Sequence, residues 1–123
     1  MSAEEKIVAH LSSSTEVSDR VSGRIYPLVL PQGAAAFPVL VYQRIAGSRV
    51  NALSGYTGTE NPHFQVDSVA ETYSAAKALA AAVSSVMQDS TSYIALLVDD
   101  LDSFETEVGL YRVIQEFSVW NKE

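Results

Sequence analysis

Acid–base chemistry in this chain would have to involve one of its two histidines, His10 and His63. On an extended strand His63, Gln65 and Asp67 project to the same side, so a histidine–carboxylate pair is geometrically possible. The sequence offers no nucleophile in a recognisable setting, because it lacks a nucleophile elbow, a phosphate-binding glycine loop, an HExxH helix and a dinucleotide-binding fingerprint. The pattern therefore favours a solvated or interface-facing strand surface, and we predict neither an enzyme nor a bound cofactor.

A second candidate for chemistry is an acidic run that holds five carboxylates and no base, at Asp99, Asp100, Asp102, Glu105 and Glu107. Carboxylates at 100 and 102 begin the alternation of oxygen ligands that is found in calcium loops. The third ligand position is Phe104, however, and Glu105 stands where an EF-hand loop needs glycine. We therefore predict a solvated hairpin loop here rather than a metal site.

Composition limits the remaining classes of function. The chain has 123 residues, of which 47% are apolar, and this is enough for one domain with its own core over residues 1–123. The absence of cysteine excludes disulfides, thiol catalysis, and cysteine-ligated zinc or iron–sulfur clusters. We expect no signal peptide, because a signal peptide begins with basic residues followed by an apolar run, whereas the first residues here include two acids and lack that order. We also expect no membrane span, which needs roughly 18 apolar residues in a row.

The net charge of the chain is −7, and most of the acids lie in its second part. Residues 1–50 hold four acids and five bases, whereas residues 51–123 hold eleven acids and three bases. An acidic surface repels phosphate backbones, so we expect no tight or specific binding of nucleic acid. The same repulsion would suit a channel through which DNA slides without sticking.

Three helices are predicted from apolar residues at three- and four-residue spacing, over 3–12, 16–21 and 73–87. A capping-box pattern precedes the first helix, and Gly23 follows the second helix where a left-handed residue commonly ends the turn. The third helix is the longest and contains six alanines, which favour helix formation and close packing. Its N-terminus is ambiguous between Ser68 and Thr72.

Alternating apolar residues predict one minor edge strand and four main strands, over 24–26, 37–45, 63–69, 93–98 and 110–120. Loops are predicted between them, over 28–36, 47–60 and 99–107. The element order is therefore α, α, minor β, β, β, α, β, β. This order favours an α+β fold with an antiparallel or mixed sheet of about four main strands, packed against one long helix and accompanied by N-terminal helices.

The glycine-rich segment 47–60 is longer than a hairpin turn needs, and long loops of this kind are often functional. Arg44 and Arg49 lie on either side of its beginning and could bind an acidic partner or keep an edge strand soluble. The chain also has six tyrosines, and some of them could lie in subunit contacts, where tyrosine is enriched. We therefore predict a candidate subunit or partner interface at Arg44, Arg49, Asn51, Tyr56 and Glu60.

Three parts of the sequence together resemble a known family. They are GRIYP at 23–27 leading to FPVLVYQR at 37–44, FQVD at 64–67 followed by TYSAAKALA at 72–80, and GLYRVIQEFSVW at 109–120. Their order and spacing resemble the tail-completion or tail-terminator proteins of long-tailed bacteriophages and of phage-like gene transfer agents. The resemblance spans nearly the whole chain.

The resemblance implies a structural virion protein with no catalytic residues. It implies an α+β subunit that forms a ring, usually a hexamer, on the last ring of the tail tube, where it stops polymerisation and joins the tail to the head connector. The expected partners are other copies of the chain, the tube protein and the head connector or stopper protein, with DNA passing through the lumen unbound. Assembly would take place in the cytoplasm of the bacterial host. The five acids of the acidic run are then candidates for lining the channel or for ring contacts.

Two other classes of function stay open at the level of sequence. A head-completion or neck subunit would share the size and acidity of a tail terminator but would attach on the portal side. A small ligand-binding domain would need a closed pocket around His63 and Asp67. A structure in which this face of the strand is flat and solvated would exclude the ligand-binding alternative.

Overall fold

The computed structural model describes residues 3–28, 36–52, 55–90 and 93–122; for residues 46–52, 55–60 and 122 it describes the backbone. The described residues form three helices and a five-stranded mixed sheet, which confirms the predicted α+β fold. In chain order the elements are α1 (Ala3–Ser13), α2 (Thr15–Val21), β1 (Ile25–Pro27), β2 (Val39–Ala52), β3 (Gly55–Ala70), α3 (Tyr73–Gln88), β4 (Ile94–Glu105) and β5 (Leu110–Lys122). Residues 29–35, within the predicted loop over 28–36, lie outside the described residues, as does Ser2 of the capping-box pattern.

The strands lie in the order β1-β2-β3-β5-β4. Only β1 is parallel to its neighbour, β2, and every other neighbouring pair is antiparallel. The short β1 fits the prediction of a minor edge strand that stops at Pro27, because proline cannot donate to a ladder. At the other edge lies β4, which has a strand partner only in β5 among the described residues.

One face of the sheet carries the helices and most of the core. Phe64 on β3 lies directly opposite Phe117 on β5, and both side chains are fully buried. The same cluster includes buried residues of all three helices, such as Ile7, Val17 and Leu79. Because aromatic side chains bury the most apolar area, this cross-strand pair is a large contribution to the attachment of the helices to the sheet.

The long helix α3 follows its predicted pattern. Thr72 is its N-cap, and the Thr72 side chain accepts a hydrogen bond from the Ala75 backbone N–H at 3.2 Å, which resolves the ambiguity with Ser68. The apolar stripe faces the core, with Ala76, Leu79, Ala80, Val83, Val86 and Met87 buried. Tyr73, which the spacing assigns to the same stripe, is the first residue of the helix and is 48% exposed, with its ring edge-on to Tyr111.

Two of the predicted loops are strands. Residues 47–52 and 55–60 continue β2 and β3 into a long hairpin, in which Arg49 pairs with Glu60 and Asn51 with Tyr56. Residues 99–105 continue β4, and only 106–109 form the turn before β5. Glycine, serine and aspartate are poor strand formers, but pairing with a neighbouring strand satisfies their backbone groups and overrides that local preference.

Candidate functional site at the sheet edge

The edge strand β4 exposes an unusual amount of apolar surface. Ile94 is 62% exposed, Val98 is 55% exposed and Leu101 is 59% exposed, and within this strand only Ala95 is buried. Leu96 and Phe104 of the same strand are also exposed, as are Val108 in the adjoining turn and Trp120 on β5. A long edge strand with large exposed apolar side chains is a template for pairing with another chain, so β4 is the candidate interaction surface.

Four of the acids in the acidic run lie on this same strand, at Asp99, Asp100, Asp102 and Glu105. The fifth, Glu107, lies in the exposed turn that follows. This turn ends at Gly109, whose φ of +67° favours glycine and whose N–H donates to the Glu105 carbonyl at 2.8 Å. The acids therefore lie along an extended, apolar edge strand and its adjoining turn.

Asp102 ties the edge strand to the beginning of α3. The Tyr73 hydroxyl donates to the Asp102 carboxylate at 2.6 Å, and the Lys77 ammonium lies 3.3 Å from it. The hydrogen bond from Tyr73, helped by Lys77, lowers the pKa of Asp102 below its ordinary value. The same hydrogen bond raises the pKa of Tyr73, because ionisation of the phenol would place two negative charges side by side. Asp102 thus stays charged, with a fixed orientation.

Arg112 on β5 holds a polar cluster on the sheet face opposite the helices. Its guanidinium donates to the Asp67 carboxylate on β3 and lies with Nε 2.7 Å from Glu105 Oε1 on β4. This second contact is an ion pair without an aligned Nε–H hydrogen bond among the described residues. Gln65 donates to the other Asp67 oxygen at 3.0 Å, and the Asp67 side chain is only 6% exposed. The cluster therefore links β3, β5 and the edge strand.

The structure does not form the histidine–aspartate pair that the alternation made possible. His63 Nδ1 lies 3.2 Å from Glu116 Oε2, whereas Asp67 is held by Arg112 and Gln65. Sequence reasoning missed Arg112 and Glu116 because their proximity to β3 depends on the register between β3 and β5, which no local pattern specifies. His10, the other histidine, contacts the Tyr93 hydroxyl through Nδ1 at 2.9 Å.

The candidate interface residues around the β2–β3 hairpin are spread along its two strands. Arg44 is on β2 and lies 3.1 Å from Glu4 of α1. Arg49 and Asn51 are further along β2, and Tyr56 and Glu60 are on β3. The side chains of these last four residues lie outside the described part of the chain, so their role as an interface stays a prediction.

Within the described ranges, no three histidine, aspartate or glutamate side chains are placed to hold one metal ion. No helix in this part of the chain is long and apolar enough to cross a membrane. The shallow grooves that lie beside α1, between α2 and α3, and at the β4–β5 turn are lined by residues other than His63 and Asp67.

Comparison with known proteins decides the family. The family model for tail completion protein gp17 matches residues 5–122. The chain belongs to the tail completion protein gp17 family. It is therefore a structural protein of the virion tail, as the resemblance of its three sequence segments predicts.

A solved structure shares the fold of this tail completion chain. A chain of the "Virion of native gene transfer agent (GTA) particle" superposes with a TM-score of 0.71 at 17% sequence identity, over 95% of this chain and 92% of that one. No curated protein is significantly similar to it in sequence. At that level of identity the likeness concerns the fold, and it extends over nearly all elements described above.

Proposed function

We propose that this tail completion protein forms a closed ring of subunits, with six copies expected. The ring caps the tail tube and ends its polymerisation. The ring then joins the tail to the head connector. The observation that carries the proposal is the exposed apolar edge of β4 in a chain that belongs to the tail completion family. A protein that works through surfaces needs such a template for other chains.

The proposal needs two different contact surfaces on each subunit, because a ring forms by repeated head-to-tail contacts. The fold supplies two distinct sheet edges, β4 on one side and β1 with β2 on the other. The net charge of −7 supports passage of DNA through the lumen without specific binding, because acidic walls repel phosphates. The tube protein and the head connector are the expected neighbours above and below the ring.

The test is electron microscopy of particles produced without this protein. We expect tubes of irregular and excessive length that do not attach to filled heads, and complementation with the intact gene should restore both features. Tubes of normal length that stay attached to full heads would overturn the proposal. Tubes of normal length that fail to join heads, with the protein located on the portal side, would instead identify a neck subunit.

A further inference from the structure

Two long stretches of sheet edge have no strand beside them in the described part of the chain. The first is the outer side of β4, over all twelve residues. The second is the outer side of β2 beyond residue 42, because β1 pairs only with residues 40–42. This leaves residues 43–52 of β2, which are of similar length to β4. Where no described strand lies beside them, the outward backbone N–H and C=O groups of these edges are a template for hydrogen bonds to another chain.

The two free edges carry opposite charge. β2 contains Arg44 and Arg49 and no acid, whereas β4 contains four acids and no base. Part of this charge is already paired within the subunit: Arg44 lies against Glu4, Asp102 against Lys77 and Glu105 against Arg112. Asp99 and Asp100 are both exposed, and neither forms a salt bridge within the described residues. Charge complementarity therefore favours contact between unlike edges.

Strand direction favours the same contact. The antiparallel steps from β2 to β3, from β3 to β5 and from β5 to β4 leave β2 and β4 running in opposite directions. A second copy placed beside the first in the same orientation would present its β2 antiparallel to β4. Antiparallel pairing of strands is slightly more stable per residue than parallel pairing, because its hydrogen bonds are perpendicular to the strands rather than slanted.

We propose that β4 of one copy pairs antiparallel with residues 43–52 of β2 in the next copy, so that the sheet continues from subunit to subunit. This inference rests on the proposed function, since repeated pairing of this kind closes into the ring. The apolar side chains of β4 are covered by the neighbour, and Asp99 and Asp100 face a strand that carries arginines. Pairing of β4 with β4 is disfavoured, because each copy would bring to the contact its two acids that form no salt bridge among the described residues, Asp99 and Asp100.

The absence of cysteine permits a direct test by cross-linking. Ser103 is exposed on β4, and Ser48 lies in the free part of β2. Chains with Ser103→Cys are mixed with chains with Ser48→Cys and treated with a long bismaleimide that tolerates a register offset of up to five residues, about 17 Å. We expect mixed dimers, and a chain with both substitutions should give a ladder of higher oligomers.

The control mixture pairs Ser103→Cys with Ser12→Cys, since Ser12 is exposed on α1 and belongs to neither edge strand. The proposal would be overturned if the test mixture gave no more mixed dimers than the control mixture does. It would also be overturned if the only dimers were those between two Ser103→Cys chains. The second outcome would show a two-fold β4 contact that cannot extend into a ring. No cross-link between copies at all would also overturn it, and would direct the search to another tail protein as the partner of β4.

Charge reversal distinguishes an attractive contact from random collision. We expect Asp99→Lys with Asp100→Lys to lower the yield of mixed dimers by about tenfold or more, because like charges then meet across the interface. Arg49→Glu in the partner chain should recover part of the loss. The matched control, Glu16→Lys with Asp19→Lys on α2, changes net charge equally but should leave the yield unchanged. Equal effects of the two reversals would contradict the edge contact.

The two proposals fail in different ways. If cross-links are absent while particles lacking the protein have defective tails, only the assignment of the interface is wrong. If cross-links form as expected while such particles have normal, attached tails, the copies associate but the proposed function is wrong.

Discussion

The buried carboxylate of Asp67 predicts a large loss of stability when its cation is removed. Arg112→Met preserves much of the length and apolar stem of the side chain but leaves Asp67 with Gln65 as its remaining side-chain partner. Because the Asp67 side chain is only 6% exposed, its charge cannot recover full hydration. Removal of one partner of a buried pair costs about 3–5 kcal/mol. Since the Arg112 side chain is 21% exposed, we expect the lower part of that range, about 3 kcal/mol.

The assay is equilibrium unfolding in urea, followed by far-UV circular dichroism at neutral pH. A double variant, Arg112→Met with Asp67→Leu, should recover most of the loss, because a pair of apolar residues leaves no buried charge. The matched control is Lys77→Met, which removes a cation from the exposed Asp102 and should change stability very little. Equal losses for Arg112→Met and Lys77→Met, or a double variant as unstable as Arg112→Met, would refute the reasoning.

Two further predictions concern a helix cap and a tyrosine. Thr72→Ala should lower the free energy of unfolding by about 1 kcal/mol, because it removes the N-terminal cap of α3. Ser68→Ala should cause no such loss, since the buried Ser68 hydroxyl has no hydrogen-bond partner among the described residues. Urea unfolding of both variants measures the difference. Burial raises the pKa of Tyr93 to about 12 from an ordinary value of 10.0, because the folded protein favours the neutral phenol. The stability that depends on the neutral Tyr93 side chain is therefore complete below pH 10 and is lost as the pH rises towards 12. Tyr93→Phe should make the decline in unfolding free energy over that pH range shallower, and an unchanged decline would contradict the role of Tyr93.

The local patterns of the sequence were sufficient for the helices. In α3 the burial of Leu79, Val83 and Met87 follows directly from their spacing, and Gly23 has the positive φ of 81° expected after α2. These features depend on residues within one or two turns of each other. Each predicted helix and strand corresponds to one element of the structure, so the order of the elements and the fold class were predictable as well.

Features that depend on pairing between distant strands were not predictable in the same way. Residues 99–105 have the composition of a turn, and they are extended because β5 pairs with every one of them. The ion pair of Asp67 with Arg112 joins residues 45 apart in sequence, and it requires the β3–β5 register to place Val69 opposite Arg112. A shift of one residue would move every side chain of the strand to the other face. Such contacts are fixed by the whole sheet rather than by any segment.

The composition of β4 follows from two opposing demands on an edge strand that is covered only on assembly. Before assembly the strand lies in water, where carboxylates at Asp99 and Asp100 oppose pairing with an identical edge. After assembly it needs apolar side chains such as Leu96 and Leu101 to bury against a neighbour. A sequence that meets both demands mixes acids with apolar residues and loses the simple alternation of a half-buried strand. That mixture makes the segment resemble a solvated loop. The same acids disfavour pairing of β4 with a second β4 and favour its pairing with the basic strand β2.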